Sequence, residues 1–123
     1  MAKKKRELPT YVTLKLLQKN GACFSEVEDF HRIWKSGRAK INRRNAVKAI
    51  RACLSLVWLI ELFLPPSAEK KFIREMRLIG VRHVQEALLI RTERKGAEEL
   101  EKVAERSIQA EADVFMRIWN AYC

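Results

Sequence analysis

Glycine and proline are scarce, at 4 and 3 residues in a chain of 123. An all-β fold needs a tight turn every ten or so positions, so this shortage of turn formers excludes one. The three cysteines, Cys23, Cys53 and Cys123, are odd in number and far apart, which excludes a disulfide scaffold and fits a reducing cytoplasm. The first seven residues are almost all polar and basic, unlike the apolar stretch of a secretion signal. No C-x-x-C or H-x-x-x-H spacing exists, and with only His31 and His83 as imidazoles no metal or other cofactor is implied. The longest apolar run, residues 52–64, contains Glu61 and stops at Pro65-Pro66. A spanning helix needs about 20 apolar residues, so this run reads as a buried core helix and no membrane partner is expected.

What remains is the material of one helical domain. The length matches a single compact domain of roughly 100–150 residues, and the 48% apolar fraction is ordinary for a folded chain. Residues 1–8 form a basic arm without a periodic apolar face, leaving 9–123 as the domain. From Pro9 the apolar residues Tyr11, Val12, Leu14, Leu16 and Leu17 mix two periods; Pro9 suits a helix start and Asn20-Gly21 a stop, which predicts a short helix. Ser25 and Glu28 have the spacing of a capping box ahead of Phe30, Ile33 and Trp34, and Ser36-Gly37 closes that second helix. Asn42 caps a third, expected to run unbroken to Leu64 as the central apolar rod. Ser67 is the natural cap of the next, whose residues Phe72, Met76, Ile79, His83, Ala87 and Ile90 share one face. A second stripe, Ala97, Leu100, Ala104, Ile108, Phe115, Ile118 and Tyr122, follows Gly96. The expectation is therefore an all-α bundle of about five helices, ending in one long helix or a helical hairpin.

Charge is distributed unevenly. The net charge is +10, yet residues 61–123 hold 11 basic and 11 acidic side chains, while residues 1–60 hold 14 basic and 4 acidic. Between Asp29 and Glu61 stand eight cations, Arg32, Lys35, Arg38, Lys40, Arg43, Arg44, Lys48 and Arg51, with no acid among them. Arg44, Lys48 and Arg51 fall at steps of four and three, so they share a helix face, and the loop residues Arg38 and Lys40 lead into the start of that helix. Like charges set together repel, and a surface kept only for solubility intersperses acids. These eight residues are the candidate site for an anionic partner: nucleic acid, or the acidic protein surface of a nucleoprotein complex. Trp34 beside them could stack on a base, but its helical step from Phe30 favours core packing.

Nothing in the spacing assembles a catalyst. Cys23 and His31 lack an orienting third group, and a buried thiol is the commoner role for cysteine. His83 sits on an apolar stripe, and a lone Glu61 in an apolar helix suggests a structural ion pair with an arginine of the next helix. The chain reads as a non-enzyme.

Gly21-Ala22-Cys23, then Glu26, Phe30 and Trp34, then Asn42, Ala46, Ala49 and Trp58-Leu59, then a charged, alanine-containing helical third, resembles a family of small helical proteins of bacteriophages and prophages over residues 14–119. Typical members are less basic through residues 38–51. The resemblance implies a phage origin and a bacterial host cytoplasm, but no activity. Small phage proteins without catalytic groups often bind a host machine, so it also implies a host-interaction inhibitor, such as an anti-CRISPR docking on a defence nucleoprotein. The contrasting expectation is a structural protein that forms a homo-oligomer through its C-terminal helices.

Overall fold

The structure, a computed structural model, describes residues 8–92 and 96–122. The basic arm, Leu8 apart, and Cys123 lie outside the described residues. Along the chain come β1 (Tyr11–Thr13), α1 (Leu14–Lys19), α2 (Phe24–Ile33), β2 (Arg38–Lys40), α3 (Arg43–Arg51), α4 (Val57–Phe63), α5 (Pro66–Thr92) and α6 (Ala97–Asn120). Helix dominates as expected, with six helices among the described residues rather than about five. The two short strands are a correction. They pair antiparallel, Tyr11 opposite Lys40, Val12 opposite Ala39 and Thr13 opposite Arg38.

The mixed period before α1 explains the ribbon. Val12 and Ala39 point into the core at the centre of each strand while Tyr11, Arg38 and Lys40 are exposed, an alternation that only a strand produces. Tyr11, Val12 and Thr13 are also good strand formers. Thr13 then changes role, its hydroxyl accepting the Leu16 N–H at 3.1 Å, so α1 begins at Leu14 rather than near Pro9. The helix stops where Asn20-Gly21 predicts, with Gly21 at φ 75°. The capping box at Ser25 does not form. Cys23 occupies the N-cap position of α2 without a side-chain cap, and its Sγ lies 3.4 Å from Ser25 Oγ.

The apolar rod expected over 42–64 is broken. Asn42 does cap α3, accepting the Asn45 N–H at 2.8 Å, but the helix ends at Arg51. Cys53 takes φ 59°, its N–H reaching Ile50 O at 3.0 Å and the Leu54 N–H reaching Ala49 O at 2.9 Å. This is the bond pair with which a glycine usually closes a helix. Breaking the rod lets α3 lie on α6 and α4 on α5. A left-handed residue with a Cβ carries roughly 1–2 kcal/mol of strain, against about 0.4–1 kcal/mol gained by having fewer unfolded conformations than glycine. Cys53→Gly is therefore expected to raise stability by up to about 1.5 kcal/mol and Cys53→Val to lower it, read as opposite shifts of a urea midpoint at unchanged slope. Two lowered midpoints would contradict the strain. Cys53 is exposed, as is Cys23, which is therefore not the buried thiol expected.

Pro65-Pro66 ends α4 and starts α5. Leu64 is extended at ψ 159°, as a residue before proline prefers. The Pro65 carbonyl accepts the Ala68 N–H at 2.9 Å, and Pro66 is the first helical residue, where a missing N–H costs nothing. Ser67 is thus inside the helix, not its cap. The C-terminal alternative resolves as a hairpin: Arg117 donates to Glu75, while Arg106, eleven residues back along α6, donates to Glu86, eleven residues on along α5, at 3.1 Å. Between the same helices, burial pushes the Glu111 carboxyl up from its ordinary value, against the attraction of His83.

The central element is α6, which packs on α5 and on α3. Its residues Phe115, Ile118 and Trp119 meet Ile60 and Phe72 in one apolar cluster that also takes in Val12, Phe30 and Ala46. Phe115 stacks on Trp119 at 5.6 Å and meets Phe72 edge-on at 6.2 Å.

Candidate anion-binding surface

The eight candidate cations divide into two groups. Arg32, on α2, is bonded to Asp29 one turn away. Arg43 and Arg51, at the two ends of α3, reach across to α6: Arg43 Nε lies 2.6 Å from Asp113 Oδ1, and Arg51 is bonded to Glu105. Hydrogen bonds from Gln109 and from Arg51 hold the Glu105 carboxyl below its usual range. These three arginines belong in part to the chain's own charge balance, a correction to reading all eight as one free field. The acids that pair with Arg43 and Arg51 lie 70 and 54 residues away in sequence.

The other five, Lys35, Arg38, Lys40, Arg44 and Lys48, pair with no carboxylate among the described residues. Lys35 is exposed in the turn after α2. Arg38 and Lys40, expected in a loop, instead stand two apart on β2, so the strand sends both to the side away from buried Ala39. The Arg38 guanidinium sits over the Tyr11 ring at 4.0 Å. That contact holds the cation without neutralising it. Arg44 and Lys48 are one turn apart on α3, clear of the buried residues Ala46, Val47 and Ala49.

One neutral side chain fixes the ribbon against α3. Asn45 donates from Nδ2 to the Lys40 carbonyl at 2.8 Å and accepts the Trp34 indole N–H at its Oδ1 at 3.1 Å. The cationic ribbon, the α2 end and the cationic helix are thereby held in one rigid arrangement. It also settles Trp34: the ring is half-buried, 4.9 Å from Phe30, and its only donor is used. Trp34 packs on Phe30, as the helical step between them favours. The exposed aromatic at the cationic surface is Tyr11, which sequence reasoning placed in a helix.

Beside Trp34 lies a cleft of about 90 Å³, partly open to solvent, between α2, β2, α3 and the α3–α4 connection. Its wall is mainly apolar, including Phe30, Trp58, Leu59 and Phe115, and the Asn45 amide on it is already bonded. Glu61 is exposed and, among the described residues, pairs with no arginine of α5. Cys23 and His31 are both exposed, and no contact joins them. Among the described residues no cluster of three His, Cys, Asp or Glu side chains is placed to hold a metal ion. Nor is any described helix long and apolar enough to cross a membrane.

The chain matches no family model, no curated protein and no solved structure. Its function must be argued from the surface itself. That surface extends beyond the eight candidates. On α5, Lys70, Lys71, Arg74, Arg77, Arg82 and Arg91 are all exposed, while Glu69, Glu75 and Glu86 are half-buried. The even charge of residues 61–123 is even only in number. On α5, Glu75 and Glu86 are turned to Arg117 and Arg106 of α6, leaving the outside of α5 cationic.

Proposed function

We propose that this is a non-catalytic binding protein that docks the β-ribbon and the exposed side of α3 on the phosphate backbone of nucleic acid. The observation that carries the reading is that Arg38 and Lys40 on β2, Arg44 and Lys48 on α3, and Lys35 in the turn after α2 have no carboxylate partner among the described residues, with Asn45 fixing strand and helix together. Arginine and lysine so placed are preorganised for phosphate, because their mutual repulsion is relieved only when an anion arrives. A two-stranded ribbon and a helix are both shapes that a duplex groove admits. Tyr11 adds a ring beside the cations, and the arm residues Lys3, Lys4, Lys5 and Arg6 precede β1 in the chain.

The test is the salt dependence of affinity for a labelled duplex, followed by fluorescence anisotropy between 50 and 300 mM NaCl. Each duplex phosphate neutralised contributes about −0.9 to the log–log slope, so five contacts give a slope near −4.5. A slope close to zero, or no binding to duplex, single-stranded DNA or RNA, would contradict the reading. In that case the same cations would suit carboxylates on an acidic protein surface, as an inhibitor of a host or defence nucleoprotein would use.

A further inference from the structure

The outward face of α5 is apolar as well as cationic. Leu78, Val81, Val84 and Leu89 are each more than half exposed, at 61%, 55%, 55% and 61%. At 3.6 residues per turn they fall on the side of the helix opposite Phe72, Met76, Ile79 and His83, which face the rest of the chain. The stripe runs three turns, about 16 Å at 1.5 Å per residue. Arg77 and Arg91 lie along one edge, Arg82 along the other, and Lys70, Lys71 and Arg74 continue the face toward the helix start. None of these six pairs with a carboxylate among the described residues. Isolated exposed aliphatic residues need no explanation, but four along one face with a cationic border mark an interaction site.

We propose that this face docks an acidic amphipathic helix of a partner protein, independently of the nucleic-acid surface on the ribbon and α3. The length and spacing suit a helix of about three turns that lays its own apolar stripe along Leu78 to Leu89. Carboxylates flanking that stripe meet Arg77 and Arg82 at the edges. Nucleic acid satisfies the cations but offers the aliphatic side chains nothing to bury against. A second copy of this chain supplies the aliphatic stripe but sets two cationic borders against each other, a like-charge arrangement that opposes pairing. An anionic bilayer supplies charge and apolar depth, but the tryptophan and tyrosine that anchor helices at a membrane surface are missing from this face.

The experiment titrates the full-length protein into a fluorescein-labelled 21-residue helical peptide with leucine at its a and d positions and glutamate at e and g, in 150 mM NaCl. Saturable binding is expected, weakened about tenfold or more by Leu78→Ser with Leu89→Ser, because two aliphatic side chains no longer bury against the peptide's leucines. Both sites are exposed, and unchanged circular dichroism confirms that the variant folds. A peptide with lysine for glutamate is expected not to bind. No binding of the glutamate peptide would overturn the proposal, as would equal binding of a scrambled peptide of the same composition. Stripe-dependent cosedimentation with phosphatidylglycerol vesicles in place of peptide binding would assign the face to a membrane. A concentration-dependent dimer lost in the variant would assign it to a second copy. Arg44→Gln with Lys48→Gln is expected to leave peptide binding intact, so failure here and failure of the nucleic-acid reading are distinguishable.

Discussion

Phe115→Ala is expected to destabilise the protein by about 3–5 kcal/mol, the range for removing a large aromatic side chain from a closed core. Phe115 is 1% exposed and stands on α6, the helix that both α3 and α5 pack against. Its ring joins Phe72 of α5 to Trp119 one turn along, and it also lines the cleft beside Trp34, so truncation enlarges a space that is already present. How far the neighbours collapse into that space sets where in the range the loss falls. Against a total stability of about 5–15 kcal/mol, much of the margin goes. Phe115→Leu keeps most of the volume and is expected to cost about 1–1.5 kcal/mol. Urea denaturation of the two variants checks both values. A loss below about 1 kcal/mol for the alanine variant would mean that α6 is not the centre of the core.

Helix content was legible because amphipathic periodicity is a local signal. The stripe from Phe72 to Ile90 faces inward as the spacing predicts, and Asn42 and Asn20-Gly21 mark a start and a stop correctly. What could not be read was set by contacts distant in sequence. The ribbon depends on pairing residues 11–13 with 38–40, and three residues of alternation are too few to overrule a neighbouring helix pattern. The break after Arg51 hangs on Cys53 adopting a conformation that glycine usually supplies, so composition gives no warning. At Ser25 and Ser67 the cap chemistry is present, but Cys23 and Pro66 begin those helices instead.

The candidate surface shows the same division. The one-sign run from Arg32 to Arg51 is visible by counting, but which of its members keep their charge free is not. Asp113 and Glu105 reach Arg43 and Arg51 only because α6 folds back onto α3. The cationic outside of α5 was hidden by a balanced count. Its signal was available on a helical wheel, where Glu75 and Glu86 share a side toward α6 and Arg74 and Arg77 do not.

The central claim is that unpaired cations, rather than cations in general, make the anion-binding surface, and α3 offers a matched comparison. Arg44→Gln with Lys48→Gln removes two unpaired charges; Arg43→Gln with Arg51→Gln removes two paired ones from the same helix, with the same change in net charge. At 0.1 M salt each phosphate contact is worth about an order of magnitude in affinity. The first variant is therefore expected to bind a labelled duplex about 50- to 100-fold more weakly, with its salt slope reduced by nearly 2. The second is expected to stay within a few-fold of the parent. Equal losses in the two variants, or a larger loss in the second, would contradict the account.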